Sequence, residues 1–351
     1  MPDINAIADN LAAALKKHRA DYLEARLEES QTSHITYRGK QLESVGRSSA
    51  SGGNVRALAK GGWGFTSFNE FSGLSERVGL AAAQAKAAGS GQSRLAEVAP
   101  ARADVPSGVA QNPVEIPLAE KKRLLDEYNR IIWSVPRIQT ATIGYSDSRR
   151  RVIFMNSEGS YITQERADVG LRLMAVAAKD GEVQQVGLSL GSRGDFGAIK
   201  GLHQQVEEMA RNAVALLDAP AAPGGEYTVV LDPILAGVFV HEAFGHLSES
   251  DFVYENDRMR EIMTLGKEFG GKHLNVVDSA ALPNLRGSYA YDDEGTPAHQ
   301  TYLIREGKLV GRLHSRETAA RMNEAATGNA RAINYRYPPI VRMTNTYIEP
   351  G

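Results

Sequence analysis

The chain has 351 residues with 40 basic and 42 acidic side chains, a formal net charge of −2, and this balance provides no electrostatic footprint for nucleic acid or a membrane surface. Its 42% hydrophobic and 23% charged content is that of a globular protein able to bury a core without staples, in about two or three domains. The cysteine count is zero, which excludes disulfides, iron–sulfur clusters, thiolate zinc ligands and a cysteine nucleophile within this chain. No run approaches the ~18 apolar residues of a membrane helix, and the N-terminus lacks the layout of a signal peptide. The expectation is a cytoplasmic protein with no nucleic-acid and no membrane partner.

In chain order, Ile4, Ile7, Leu11 and Leu15 recur at helical spacing and predict a helix over residues 4–18. Leu23, Ala25 and Leu27 then alternate with Glu24, Arg26 and Glu28, which predicts a half-buried strand over 22–29. Short strands follow at 33–37, 41–45, 55–60 and 63–68, with Gly52–Gly53 and Gly61–Gly62 read as turns between them. An alanine-rich helix over 74–88 closes an N-terminal α+β unit, residues 1–97. Four prolines between Val98 and Pro117 mark a linker, residues 98–117. The pattern then recurs in a middle α+β unit, 118–219: a helix at 118–132, strands at 138–145, 152–156, 161–174 and 183–190, and a helix at 202–217. Helix, meander, helix is thus written twice, which fits either a duplication or two common α+β units. A third unit, 226–351, opens with a buried strand at 227–231. Asp232 and Pro233 then form a helix start, an N-cap followed by proline in the first turn. Short strands follow, with Glu306–Gly307 as a hairpin tip.

The helix after Asp232 carries His241, Glu242 and His246 as His-Glu-x-x-x-His. In the zinc-protease signature two histidines at i and i+4 hold the metal, and the glutamate beside the first takes a proton from water. Here the second histidine is at i+5, about 140° around a regular helix and too far for one ion. A π-type turn would bring His246 back, and Gly245 would ease that distortion. The structural alternative is a pair of satisfied polar residues on a helix packed through Ile234, Leu235, Val238 and Phe239. Other candidates are weaker. His18, His34 and His203 read as solvated. His273, His299 and His314 lie downstream with nothing local to select one. Asp292, Asp293 and Glu294 fit either a cation site or turn chemistry. Ser189 sits in Gly-x-Ser-x-Gly, yet no helix follows at once, so the nucleophile-elbow context is absent. Gly191–Gly194 lacks the lysine of a phosphate loop.

Several separated blocks resemble the TldD/PmbA metallopeptidase family: HEAFGHLSESDF (241–252), GSYAYDDEGTPAHQTYLIREGKLVGRLHSRETA (287–319), TGNAR (327–331) and RMTNTYIEPG (342–351). The resemblance is looser over the first two units. It implies a TldD-type subunit in which His241 and His246 hold Zn2+ and Glu242 is the general base. Short or unfolded peptides would be hydrolysed in a chamber shared with a PmbA/TldE-type subunit or a second copy, with the peptide extended against a strand. Family members take a third ligand from a cysteine in a C-terminal β-rich region. This chain has no cysteine and stops at Gly351 inside a family block, so the expectation is an incomplete C-terminal unit, with roughly a hundred residues lying beyond it. The candidates left for a third ligand are Glu249, Asp251, His273, His299 and His314. With two histidines alone, zinc binding is expected to be weak and the isolated chain inactive. The alternative is a non-catalytic subunit that binds peptides or a partner.

Overall fold

Helix α1 (Ile4–Leu15) begins where the Asp3 side chain accepts the backbone N–H groups of Asn5 and Ala6, and it buries Ile4, Ala8, Leu11 and Leu15 along one stripe. The structure is a computed structural model that describes residues 3–89, 91–194 and 196–350. After α1 come strands β1 (Tyr22–Arg38), β2 (Gln41–Ala59) and β3 (Gly62–Phe68), then helix α2 (Leu74–Ala87) and strand β4 (Arg102–Val105). Helix α3 (Leu118–Ser134), strands β5 (Ile138–Asn156), β6 (Tyr161–Lys179) and β7 (Glu182–Ser192), and helix α4 (His203–Ala215) follow. The fold is mixed helix and sheet.

The strands are longer than the sequence patterns predict. Residues 22–29 and 33–37 are one strand, as are 138–145 and 152–156. The polar stretch Ser30–Thr32 does not end β1, because β2 and β5 pair with it on both sides throughout: Gln31 stands opposite Ser49 on one neighbour and Arg149 on the other. Pairing on both edges overrides weak local propensity. The same cause corrects the turn expected at Gly52–Gly53. Both glycines lie inside β2, where a Cβ on Gly53 would stand 2.7 Å from Leu27 Cδ2 and one on Gly52 would stand 2.7 Å from the Phe68 carbonyl. They are needed for close approach. Gly53→Ala is expected to cost about 1–3 kcal/mol by overpacking, read as a lowered midpoint in urea unfolding.

Among the described residues one sheet runs β3-β2-β1-β5-β6-β4, with β7 also paired to β6. Strands of the first two units therefore share a single sheet, joined at the antiparallel β1–β5 pair. The proline-rich stretch is only partly a connector, since β4 lies within it and pairs parallel with β6. Odd-numbered residues of β1 face the helices. Leu23, Ala25 and Leu27 pack under α1 and α2, whereas Ile35 and Tyr37 pack under α3 and α4.

The opposite, charged face of β1 is buried as well, because the third unit sits on it. Glu24, Arg26 and Glu28 are 4%, 3% and 4% exposed. Arg56 joins Glu24 (3.0 Å) to Glu294 (2.9 Å), Arg26 faces Asp293 at 3.4 Å, and Asn54 donates to the Tyr335 carbonyl at 2.8 Å. The half-buried strand expected at 22–29 is thus buried on both faces, and its charges are neutralised in pairs.

The third unit contains helices α5 (Pro233–Val240), α6 (Ser250–Glu255) and α7 (Asp257–Ile262), strands β8 (Val276–Ser279), β9 (Gln300–Arg305) and β10 (Lys308–Leu309), and helix α8 (Arg316–Met322). Strands β11 (Ala330–Arg331), β12 (Ile340–Val341) and β13 (Thr346–Ile348) complete it. Its larger sheet runs β10-β9-β8-β13, over a core of Val240, Val253, Val276, Leu303, Ile304 and Leu313. The β9–β10 hairpin turns at Glu306 and Gly307, both at positive φ (50° and 78°). The buried strand expected at 227–231 does not form. That segment runs in the open, with Val230 98% exposed, because no strand lies beside it among the described residues. The apolar face of α5 is open too, with Ile234 82% exposed and Leu235, Val238 and Phe239 half-exposed or more.

Candidate metal centre

Asp232 caps α5 through its side chain, which accepts the N–H groups of Ile234 (2.8 Å) and Leu235 (3.1 Å), and Pro233 occupies the first turn. Beyond Val240 the helix widens. Residues His241–Gly245 form a π turn, closed where the His246 N–H donates to the His241 carbonyl. That extra residue in the turn brings together side chains that a regular helix would hold apart. The two imidazoles meet edge to face, with centroids 4.8 Å apart, and one ligand atom from each of His241, Glu242 and His246 lies within 4.8 Å of the others. Gly245 has ordinary helical angles (φ −57°, ψ −60°) and does not ease the turn by its backbone freedom. Its role is space, since a Cβ there would stand 2.5 Å from Met343 Sδ.

Both histidines are half-exposed and Glu242 is exposed, so the cluster faces outward from the third unit. Two imidazole nitrogens are donors that catalytic zinc uses, and the Glu242 carboxylate stands within reach of the same point, so the residues fit that metal. A short 3₁₀ turn after His246 delivers Glu249 beneath it, with Glu249 Oε2 3.5 Å from His246 Nδ1. Glu249 is 7% exposed. Burial pushes its carboxyl above the ordinary value, against the opposing pull of Arg342, the Met343 N–H and His246.

None of the other residues weighed as a ligand joins the cluster among the described residues. Asp251 accepts the Val341 N–H at 3.2 Å. His273 and His299 are exposed elsewhere on the third unit. His314 is fully buried between Ser250, Thr318 and Glu324, where it serves the core. The Asp292–Glu294 run resolves as turn and docking chemistry. Asp292 accepts three backbone N–H groups, from Glu294, Thr296 and Ala330, while Asp293 and Glu294 hold the arginines of the large sheet. Ser189 lies within β7, where no elbow exists. His18, His34 and His203 are at the surface, as their patterns predict, with His18 against Ser75 and His203 against Glu127.

Sequence reasoning considered Glu249 only as a ligand and overlooked its contact with His246. The i+3 spacing was the available signal. The partner Arg342 has none, because it arrives from nearly a hundred residues downstream.

Domain profiles of one metallopeptidase family match the chain in order: PmbA/TldA metallopeptidase domain 1 at residues 23–88, the central domain at 111–217 and the C-terminal domain at 224–351. The chain belongs to the PmbA/TldD metallopeptidase family. A family member of Synechocystis sp. named as a metalloprotease is 46% identical over 336 residues, which are 95% of this chain and 72% of that protein. A zinc metalloprotease TldD homolog of Saccharolobus solfataricus is 31% identical over 218 residues, 62% of this chain and 48% of that one. TldE from Thermococcus kodakarensis overlays with a TM-score of 0.71 at 18% identity, covering 98% of this chain and 78% of its own. A Thermotoga maritima structure overlays with a TM-score of 0.80 at 18% identity, covering 99% and 78%. At such identities the likeness is one of fold. No described helix of this PmbA/TldD family member is long and apolar enough to cross a membrane.

Proposed function

We propose that this chain is the metal-bearing, TldD-type subunit of a cytosolic zinc peptidase acting on short or unfolded peptides. The observation that carries the reading is the convergence of His241, Glu242 and His246 across the π turn. His241 and His246 would hold the ion, and bound zinc supplies Lewis acidity toward water and the scissile carbonyl. Glu242, exposed beside them, takes the proton from the attacking water as its oxygen bonds to the carbonyl carbon. It then passes that proton to the amine as the carbon–nitrogen bond breaks. A PmbA/TldE-type subunit or a second copy would complete the chamber, with the peptide lying extended along a strand edge. The family membership and the relatives named as metalloproteases support this reading.

A second reading, a non-catalytic peptide-binding or assembly subunit, is favoured for the chain on its own by one observation. Among the described residues no fourth histidine, aspartate or glutamate joins the cluster, whereas a catalytic zinc needs three protein ligands besides water. Metal removal separates the two. In an assembly that cleaves peptides, dialysis against a chelator is expected to abolish cleavage and stoichiometric zinc to restore it. Cleavage that persists after complete metal removal would overturn the peptidase reading, and zinc-loaded protein that binds peptides without cutting them, alone and with a partner, would establish the second.

A further inference from the structure

We propose that Glu249 is the positioning residue of His246: it accepts the Nδ1 proton of the imidazole and so commits Nε2 to the metal. The inference rests on the zinc reading above but concerns this chain's own residues.

An imidazole has two nitrogens, and in water the proton moves between them. A ligating histidine therefore needs a partner on its second nitrogen to fix both tautomer and ring angle, and a carboxylate is a frequent choice. Glu249 Oε2 lies 3.5 Å from His246 Nδ1. The contact is placed by the local chain: the Glu249 N–H donates to the His246 carbonyl at 3.2 Å, closing the 3₁₀ turn and setting the carboxylate under the ring at i+3.

Four further tethers keep Glu249 where it is. Its Oε1 accepts the Met343 N–H at 3.3 Å, and its Oε2 lies 3.5 Å from Arg342 Nη1. On either side of it, the Ser248 carbonyl accepts the Leu313 N–H at 2.8 Å and the Ser250 N–H donates to the Leu313 carbonyl at 3.0 Å. A carboxylate buried to this degree needs a defined set of donors. Arg342 and the Met343 N–H supply two of them, and the imidazole N–H is the third. The same carboxylate is not among the atoms that converge with His241 and Glu242. Its contact is with His246 Nδ1, which suits an orienting group and not a ligand.

The experiment reads the ring directly. Nitrogen-15 NMR of the histidine side chains, in metal-free protein at alkaline pH, is expected to show His246 protonated at Nδ1. In Glu249→Ala the Nε2-protonated form should become prevalent, and Glu249→Gln, whose side-chain oxygen still accepts, should keep the Nδ1 form. Zinc affinity by competition with a chromophoric chelator should fall about 10–100-fold in Glu249→Ala, with most of that loss recovered in Glu249→Gln. A wild-type His246 protonated at Nε2 overturns the proposal whether or not either variant folds. Equal losses of affinity in the two variants also overturn it, because the loss would then track the charge and not the acceptor. Neither readout involves a peptide. A chain that shows the expected tautomers but never cleaves would refute the peptidase reading and leave this one standing.

Discussion

Glu242→Gln is expected to lower peptide hydrolysis by about 10²–10⁴-fold, the range of a lost general base, while zinc remains bound. The argument is one of separable roles. The two imidazoles supply the nitrogen donors, whereas Glu242 is exposed beside them with a carboxylate that can reach water. Glutamine keeps the size and one acceptor oxygen but cannot carry a proton. The loss should fall on kcat with KM nearly unchanged, since the group acts in the chemical step and not in holding the peptide. The measurement is steady-state cleavage of a short peptide by the assembly in which the wild-type chain supports it, at matched zinc content. Unchanged turnover would remove Glu242 from the mechanism. Loss of zinc in parallel with activity would make it a ligand instead.

Lys121→Met is expected to destabilise the protein by about 3–5 kcal/mol, the cost of leaving a buried charge without its partner. Lys121 projects from α3 into the sheet and is fully buried, as is Asp147. Its ammonium contacts Asp147 and donates to Ser33 Oγ at 2.8 Å. Asp147 in turn accepts from the Ser33 hydroxyl at 2.7 Å and from Tyr145. Burial draws the lysine below its ordinary pKa, and Asp147 opposes that pull. The cluster resembles a serine–lysine dyad in composition, but it has no access to substrate and its function is to hold α3 on β1 and β5. For a chain of this size the loss corresponds to a fall of about 4–7 degrees in apparent Tm. Adding Asp147→Asn to the lysine variant should recover part of it, because the orphaned charge is then gone. A fall of less than a degree or two in Lys121→Met would show the pair to be dispensable.

The metal motif was legible because its demand is geometric. Histidines at i and i+5 cannot share an ion on a regular helix, so a shared metal demanded a π turn, and His241–Gly245 form one. The helix start at Asp232 and Pro233 was legible for a local reason, since capping depends on neighbours in the chain. Less legible were features that depend on what lies across the fold. Gly52 and Gly53 looked like a turn, and a glycine that makes room for a crossing Leu27 or Phe68 leaves the same trace as one that reverses the chain. The segment 227–231 looked like a buried strand because its side chains are apolar, but a strand also needs a neighbour to satisfy its backbone.

The sequence by itself determined the main helices and strand-forming stretches of the first two units, the odd-numbered apolar face of β1, the cap of the metal-motif helix, the widened turn its two histidines would need to share an ion, and the family. Those follow from periodicity, capping and spacing, each settled within a few residues or by blocks in a fixed order. Only the tertiary structure decided that the two α+β units share one sheet, and that the Glu24–Arg26–Glu28 face is buried beneath Asp293 and Glu294. It also decided which carboxylate meets His246 Nδ1: Glu249, fastened by Arg342 and Met343. Charges that alternate with apolar residues look alike whether they meet water or opposite charges from more than two hundred residues away. The choice is made by packing, where each buried charge must find its partner or cost the fold more than a surface ion pair can offset.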